Sequence, residues 1–466
     1  MAANDIRPET LDERLVYGAI VWTWGLYLLG ALYAVYPILG WVLAARGVRR
    51  IMDPKSAREG GGAPIPTGVM FWIAGMAAMT IPLIYAHMSF DLGVGTMIKS
   101  LFGWARGWFL IAVFVFAGAT LGVRASLIIR ATNKLGLYTL VLCPFFIAAA
   151  MLKLPEVLYV SPLQLVFLGP KSFFDVELHS MDTTTGLERW RFFAPWAPAA
   201  AFVATMSFAL ALHDRSVVWR SIGVAAAIAV CLMSQSRLAL VAIPVILAIT
   251  LISRVVLKPW AWIVLAFAVT LLILSLGPLL NLIDDMMTAF TGARAASSRV
   301  RTVLQSIALH RWATEAVVFG HGAVERGPHL VEFMPIGTHH TWNGLLFVKG
   351  AFGYAALALP FAASMIEFSL KSLRDQSARA ALGVMMVALL FSFGENLESL
   401  VYLLWPGFMM LGIAARQRLK LPTEFARLIS AVRDGKSTSG GQRPAHASSG
   451  QAKGSFASSA RSFPRA

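Results

Sequence analysis

Charged residues are scarce in this sequence and cysteines almost absent, and these two absences exclude several classes of protein. Only 14% of the 466 residues are charged and 57% are hydrophobic, whereas a soluble domain carries about 25% charged residues. A chain this long and this apolar has too little polar surface to cover a soluble core. The two cysteines, Cys143 and Cys231, both lie in apolar segments as small hydrophobic side chains, so neither a disulfide nor a cysteine-based metal site is predicted.

Motifs of well-defined enzyme classes are also missing: there is no nucleotide-binding loop, Ser-x-x-Lys or zincin motif. Instead, the sequence has a series of apolar runs long enough to cross a hydrocarbon core of about 30 Å. Because a membrane barrel would show short alternating strands, these runs predict an all-α, polytopic membrane protein with about eleven (ten to twelve) spans. The first run is expected to tilt or break near Pro37. The runs cover approximately residues 16–43, 68–87, 107–126, 135–152, 197–212, 218–234, 238–253, 260–281, 341–365, 381–394 and 399–415.

The net charge of +16 could suggest a nucleic-acid partner, but its distribution argues against one. From Arg416 to the end, ten Lys/Arg stand against two Asp/Glu, so half of the net charge lies in one tail. Most other basic residues fall in turns beside the spans, within residues 46–58, 124–134, 215–220, 254–258 and 371–379. If every span crosses, these turns share one side, which the positive-inside rule identifies as the cytoplasm. The N-terminus is then expected on the outer side.

The sequence predicts one large domain and one tail. Residues 1–415 are expected to form the transmembrane domain, and residues 416–466 a basic cytoplasmic tail that is largely disordered. Two long loops should face the outside, over residues 153–196 and 282–340, and His179, Asp182 and Glu188 of the first are expected to be solvated. Residues 88–106 resemble an amphipathic helix that lies in the outer interface.

Arginines beside apolar spans are the first candidates for chemistry. Arg237 ends the tight turn that begins at Ser234, between two apolar runs, and a cation near membrane depth costs several kcal/mol unless it is paired or wetted. Arg299 and Arg301 lie in a predicted helix of the long outer loop. A guanidinium presents a fork of donors that suits phosphate oxygens. Taken singly, each arginine is better explained by contact with headgroups or by a solvated helix face.

Histidines of the long loop are the strongest single-residue signal. His339 and His340 directly precede the span that begins at Thr341, and an imidazole can accept a proton from a sugar hydroxyl near neutral pH. The alternative is a pair of interfacial histidines bonded to backbone. His321 lies in the same loop, but there is no His-x-x-x-His on a helix and no nearby cysteine, so no metal is predicted. Glu395 lies at the outer end of a hairpin, where it could pair with an arginine.

Four motifs occur in order from residue 234 onward. An SQSR turn between two spans is followed by a long loop that opens with S-R-x-R and a helix; then come F-G-H-G at 319–322 and His339, with Gly350 and Gly353 beyond it. This order resembles the O-antigen ligase and Wzy-type polymerase superfamily of bacterial membrane glycosyltransferases. The resemblance extends from residue 234 to about residue 357. Three features depart from the family pattern: His340 stands where the family has Asn, the loop helix lacks its tryptophan at the expected place, and two arginines compete for one motif position.

The resemblance implies a metal-independent, inverting glycosyl transfer from a polyprenyl-diphosphate-linked oligosaccharide, without a cofactor. Carried over, Arg237 and either Arg299 or Arg301 would hold the donor diphosphate, and His339 would position or deprotonate the acceptor hydroxyl. The supporting residues would be His340, His321 and Glu395. The implied location is the bacterial inner membrane, with the active site on the periplasmic side. The implied partners are the lipid-linked oligosaccharide, the bilayer, and a chain-length regulator or other polysaccharide-assembly proteins, and not nucleic acid.

Several functions remain open at this stage. A polymerase would use a second lipid-linked repeat as acceptor and a ligase would use lipid A-core; the resemblance favours the polymerase slightly, since that role is the broader one in the superfamily. A transporter or flippase of lipid-linked sugars is the alternative of another class. It would show internal repeats, and charges or broken helices at mid-span, neither of which is recognised in the sequence. A structural membrane partner would tolerate single substitutions in the loop. The glycosyltransferase hypothesis predicts that Arg237, one loop arginine and His339 converge on one cavity.

Overall fold

Helices make up most of the structure, a computed structural model. The residues it describes are 6–53, 64–167, 169–182, 186–258, 260, 262–264, 266–267, 270, 295–331, 333–337 and 340–417. The predicted tail beyond residue 417, most of the span predicted over 260–281 and the first part of the loop predicted over 282–340 therefore lie outside the described residues.

Sixteen helices are bounded within the described part of the chain. They are α1 (Leu11–Val21), α2 (Thr23–Leu28), α3 (Leu32–Met52), α4 (Thr67–Ala78), α5 (Thr80–Ser89), α6 (Val94–Arg106), α7 (Trp108–Thr120), α8 (Ala125–Met151), α9 (Leu163–Phe167), α10 (Ala197–Ala211), α11 (Val217–Met233), α12 (Arg237–Val255), α13 (Ala295–Glu315), α14 (Thr341–Ser372), α15 (Gln376–Ser392) and α16 (Leu397–Ala415). Short antiparallel pairs join β1 (Val157–Val160) to β2 (Asp175–Glu177), β3 (Ser180–Met181) to β4 (Glu188–Arg189), and β5 (Glu325–Arg326) to β6 (Pro335–Ile336).

Six helical stretches within the described residues are long and apolar enough to cross a membrane. They are Thr67–Ser89, Val94–Thr120, Ala125–Met151, Arg237–Val255, Thr341–Ser372 and Leu397–Ala415. Three shorter apolar helices, α10, α11 and α15, accompany them. The chain is thus an α-helical protein with the makeup of a membrane protein, while the number of eleven spans stays a prediction. The helix expected over 88–106 forms as α6, which buries none of its side chains and exposes Val94, Ile98 and Phe102 along one face.

The first predicted span is a helical hairpin rather than one helix, which corrects two expectations. The break lies at Gly30, whose φ is +63°, and not near Pro37, which lies inside α3. Beyond this break α3 runs back along α1 and α2, because Arg46 pairs with Asp12 and the hydroxyls of Thr23 and Tyr36 lie 2.7 Å apart. A side chain at Gly30 would strike Ser161 at 2.2 Å, so only glycine fits this turn.

The hairpin returns the chain to the end of the bundle where the basic turns lie. Glu13 binds Arg124 at 2.8 Å, Arg50 donates to the carbonyl of Leu121, and Gln376 donates to the carbonyl of His213 at 2.7 Å. We call this the basic end. The N-terminal segment therefore lies with the basic turns, and the expectation that it lies on the opposite side is wrong. The basic turn expected between the spans predicted over 107–126 and 135–152 is also helical. Its residues 127–134 lie inside α8, and the connection between α7 and α8 lies at 121–124.

Helix α16 lies at the centre of the bundle, and nearly all its side chains are buried. It approaches α7 backbone to backbone: a Cβ at Gly118 would lie 2.0 Å from the carbonyl oxygen of Met409, and one at Gly412 would lie 1.9 Å from that of Val115. Small residues allow such close approach between apolar helices, where dispersion contacts replace the hydrophobic effect as the source of packing energy.

Arg130 and Asp214 form an ion pair in the interior near the basic end. Two hydrogen bonds of 2.9 Å join the guanidinium to the carboxylate, and both side chains are 2% exposed. Asn133 donates to the same carboxylate at 2.9 Å. Arg130 lies inside α8 and Asp214 precedes α11, so the pair fixes the spacing of these two helices.

Removing either member alone should destabilise the protein more than removing both. Arg130→Met or Asp214→Leu leaves one charge buried without its partner, at a cost of about 3–5 kcal/mol, whereas the double variant leaves none. Thermal unfolding in detergent, followed by circular dichroism, measures the effect. Equal losses that add up in the double variant would contradict a coupled pair.

Candidate functional site

The turn between α11 and α12 is held against the segment 153–196. Gln235 has a φ of +51° and donates to the carbonyl of Glu188 at 2.8 Å. Arg189 donates to the carbonyl of Ser234 at 3.5 Å, and the backbone N–H of Trp190 donates to that of Met233 at 3.3 Å. Arg237 is the first residue of α12, so this helix begins directly beside strand β4. We call this end of the bundle, opposite the basic end, the loop end; it is formed by the described residues among 152–196, 234–236, 316–340 and 393–396.

His179 and Asp182 are buried, and His179, Asp182 and Glu188 all form ion pairs, so the expectation that these three residues are solvated is wrong. Arg191 is 5% exposed, and its internal contacts give the segment a polar core of its own. The ion pairs are Arg191 with Asp175 and Glu177, Arg189 with Asp182, and His179 with Glu188. The pairs of Arg191 join the part of the segment around Asp175 to the part around Arg191.

Glu395 lies in the turn between α15 and α16 and is 7% exposed. Trp196 donates its indole N–H to Oε2 at 2.8 Å. The hydroxyl of Thr341, at the start of α14, donates to the carbonyl of Glu395 at 2.7 Å and accepts from the backbone N–H of Leu397 at 3.0 Å. Burial raises the pKa of Glu395 to about 7, although Arg301, the bond from Trp196 and Arg189 act to lower it. This carboxyl group therefore titrates near neutral pH.

Four segments that are distant in the sequence meet around this turn. The guanidinium of Arg301, on α13, donates to the carbonyl of Gly394 at 3.3 Å. A Cβ built on Gly394 would lie 3.5 Å from Leu238, the residue after Arg237. Trp196 reaches the turn from the segment 153–196, and Thr341 from α14. The structure thus brings the SQSR turn and the loop helix to the same place.

The two competing loop arginines differ in their surroundings. Arg301 is partly buried and faces Gly394 and Glu395, whereas Arg299 is exposed two residues earlier on the same helix. This difference distinguishes the two positions, which the sequence alone leaves open.

The adjacent histidines fall on either side of the boundary of the described residues. His339 lies outside the described residues, one position before His340. His340 is the N-cap of α14: its Nδ1 accepts from the backbone N–H of Asn343 at 3.2 Å, and its ring packs edge-on against Phe393. Burial lowers the pKa of His340, which keeps the ring neutral and able to accept that bond. His340 therefore caps a helix beside the Glu395 turn.

His321 is buried with both ring nitrogens bonded. Nδ1 lies 3.0 Å from the carbonyl of Phe347 and Nε2 lies 2.9 Å from Glu315, while the ring stacks against Phe90 and Phe347. Hydrogen bonds from Arg311 and His321 lower the pKa of Glu315 to about 2. These contacts of His321 hold α13 and the loop against α14.

Helix α14 is interrupted at Gly350. The F-G-H-G motif and the residues just before it supply the hydrogen bonds that the helix loses there. Gly350 has φ 64° and ψ −169°, so the backbone groups on either side of it lose their helical partners. The N–H groups of His321 and Gly322 donate to the carbonyls of Phe347 and Val348, at 2.8 and 2.9 Å. The N–H groups of Ala351 and Phe352 in turn donate to the carbonyls of Val317 and Val318, at 2.9 and 3.0 Å.

Lys349, beside the break, was missed as a candidate from the sequence. It is 4% exposed inside an apolar helix, and within the described residues its ammonium group makes no hydrogen bond. Glu398, in the first turn of α16, attracts it, and Arg106 attracts Glu398 in turn. The signal was present: a lysine in the middle of a predicted span is a functional-site candidate by default.

No protein-family model matches the chain, and no curated protein matches it either. The assignment of a function therefore depends on the residues themselves and on their arrangement.

Substituting the glycine at the break should destabilise the protein. In Gly350→Ala the new Cβ would lie 2.2 Å from the carbonyl oxygen of Val318, at a φ that side chains rarely adopt. We expect a loss of about 1–3 kcal/mol or more in the free energy of unfolding. Gly103→Ala is the control, because a Cβ there meets nothing within 4 Å in the middle of α6, and it should be neutral or slightly stabilising. Chemical denaturation in detergent compares the two; equal stabilities would show that the break is not constrained.

Glu395→Gln should remove one component of the pH dependence of stability. The folded pKa of about 7 exceeds the ordinary value of 4.5, so the protonated carboxyl stabilises the fold below pH 4.5, and that stability is lost as the pH rises through 7. The difference in free energy of unfolding between wild type and variant should fall by roughly 3 kcal/mol over this range. Glu315→Gln is the control, since a pKa near 2 gives no titration between pH 5 and 8. A pH-independent difference for Glu395→Gln would contradict the shifted pKa.

Proposed function

We propose that the chain is a membrane glycosyltransferase that polymerises or transfers polyprenyl-diphosphate-linked oligosaccharide in the assembly of a bacterial surface polysaccharide. The observation that carries the proposal is the meeting of the SQSR turn and the Arg301 helix at the Glu395 turn. Two cations from distant segments, collected at one end of an apolar bundle, suit a lipid diphosphate, which carries its charge at headgroup level and its chain in the hydrocarbon. The order of motifs between residues 234 and 357 adds to this support.

In the proposed reaction the acceptor hydroxyl oxygen attacks the anomeric carbon of the donor sugar. The bond between that carbon and the diphosphate oxygen breaks, and the configuration inverts. His339 takes the proton of the hydroxyl. Arg237 and Arg301 neutralise the charge that develops on the departing diphosphate. Glu395 attracts Arg301 and acts as a positioning residue rather than as a group that contacts the sugar.

The test compares two arginines of one helix in cells that need the chain for polysaccharide assembly. We expect Arg301→Ala to reduce transfer by about 10²–10³-fold, as removal of a group that stabilises developing charge typically does. The matched control, Arg299→Ala, lies two residues away and is exposed, and it should retain activity. Arg237→Ala and His339→Ala should behave like Arg301→Ala. Membrane levels are measured for every variant, and polysaccharide chain length is read on gels.

Wild-type polymer from a well-expressed His339→Ala variant would overturn the proposed role of that histidine. Loss of polymer in Arg299→Ala but not in Arg301→Ala would assign the binding of the donor diphosphate to Arg299 instead of Arg301. Purified lipid-linked repeat, supplied without any core acceptor, separates the two acceptors: elongation supports a polymerase, and its absence supports the O-antigen ligase alternative.

A flippase of lipid-linked sugars is a second candidate because of the broken helix. Interrupted helices and buried charges are typical of transporters, and α14 has both, at Gly350 and Lys349. The expectation that charges and broken helices are missing from the spans is therefore corrected for α14. The two functions differ in the fate of the substrate: without a working flippase the lipid-linked repeat fails to reach the outer leaflet, and without a working transferase it accumulates there.

A further inference from the structure

A cavity lined by described residues lies at the basic end, away from the Glu395 turn. Its volume is about 360 Å³, within the range of roughly 300–1,000 Å³ that small-molecule sites span. Polar and charged side chains line much of it. Those that matter for its chemistry are Arg124, His213, Asp214, Arg215, Asp375 and Arg416.

The acidic residues of this cavity are already engaged. Asp214 is held by Arg130 and Asn133, and Asp375 caps α15 by accepting from the backbone N–H of Ala378 at 2.8 Å. Arg124 is likewise engaged, since it pairs with Glu13 and Glu9. The charged side chains that line the cavity are thus bonded to other groups of the protein, apart from two guanidinium groups.

Arg215 and Arg416 are these two groups. Neither side chain makes a hydrogen bond or an ion pair with any residue that the structure describes. Burial, together with the nearby guanidinium of Arg50, lowers the pKa of Arg416. Arg215 is exposed and Arg416 is half-buried, and the repulsion between Arg416 and Arg50 is relieved when an anion binds beside them.

Three helices begin at the wall of the cavity. Helices α8 and α15 start at Ala125 and Gln376, directly after the lining residues Arg124 and Asp375. Helix α11 starts at Val217, two residues after the lining residue Arg215. The N-terminus of a helix carries a partial positive charge and so favours an anion nearby. The dipoles act in the same direction as the two unpaired guanidinium groups.

His213 supplies a second kind of contact. It is 2% exposed; its Nδ1 lies 2.9 Å from the carbonyl of Ala209, and its Nε2 has no hydrogen-bond partner. Burial lowers the pKa of His213 to about 4, so the ring is neutral at physiological pH. With the proton on Nδ1, Nε2 presents a lone pair that can accept a hydrogen bond from a ligand hydroxyl.

We propose that this cavity is a binding site for a phosphate ester that also carries a hydroxyl group. The phosphate oxygens lie between Arg215 and Arg416, and the hydroxyl donates to Nε2 of His213. Two sources share this chemistry: the headgroup of an anionic lipid such as phosphatidylglycerol, and a soluble phosphate ester such as glycerol 3-phosphate. The site does not depend on the proposed glycosyl transfer at the loop end.

The test uses the full-length protein, purified in detergent and stripped of lipid. Its unfolding temperature is measured while glycerol 3-phosphate or, in separate samples, phosphatidylglycerol in mixed micelles is added. Uncharged glycerol and phosphatidylcholine serve as ligand controls. The test variant is Arg215→Gln with Arg416→Gln. Its matched control is Arg220→Gln, which removes an arginine of α11 that does not line the cavity.

We expect wild type and Arg220→Gln to be stabilised by the ligand, and the double variant to bind it at least about tenfold more weakly, because two charge-assisted hydrogen bonds are lost. Stabilisation by glycerol 3-phosphate alone identifies a soluble ester, and stabilisation by phosphatidylglycerol alone identifies a lipid headgroup. His213→Phe should weaken binding of either ligand and leave binding of inorganic phosphate unchanged. The proposal is overturned if both ligands stabilise the double variant as strongly as the wild type, or if neither stabilises the wild type.

Discussion

The break in α14 depends on backbone hydrogen bonds that another segment supplies. Within an apolar environment an unpaired carbonyl or N–H costs several kcal/mol, so a helix cannot open there unless new partners are present. Residues 317–322 provide them on both sides of Gly350. Gly320 and Gly350 are glycines because each lies against the backbone of the other segment, where a Cβ would approach to 2.5 Å or less. The loop and the helix therefore fold as one unit.

The positions of the polar residues at the loop end depend on this unit of loop and helix. Because 317–322 are fixed along α14, the helix α13 that precedes them is also fixed, and Arg301 reaches the turn at Gly394. The N-terminal part of α14 contacts the same turn through Thr341. The break also leaves Lys349 inside the bundle, facing the charge of Glu398. A catalytic or transport function at this end would use groups whose positions all depend on one interrupted helix.

The two ends of the bundle differ in how their charges are balanced. At the loop end, Arg189 and Arg191 are matched by carboxylates of the same segment, and the buried Glu395 faces Arg301. At the basic end two guanidinium groups lining the cavity, those of Arg215 and Arg416, have no carboxylate partner among the described residues. The arginines of the loop end thus have partners within the protein, whereas Arg215 and Arg416 are the groups that bind the phosphate ester in the proposal made above.

Composition excluded a soluble domain, because a chain with so few charges cannot cover a soluble core, and the length of the apolar runs predicted the helical class. The apolar runs also predicted four helices to within two residues at each end, those over 197–212, 218–234, 238–253 and 399–415, and the motif order located the segments that meet at the loop end. The sequence did not reveal the hairpin at Gly30, since a turn between two apolar helices looks like one long apolar run. It could not show how the surroundings of Arg299 differ from those of Arg301, nor which groups His321 contacts. Those distinctions depend on contacts with residues dozens of positions away, such as Gly394 and Phe347. Local sequence patterns show which segments can bury apolar surface. Only tertiary packing decides which partner each polar group meets and which polar group faces a cavity.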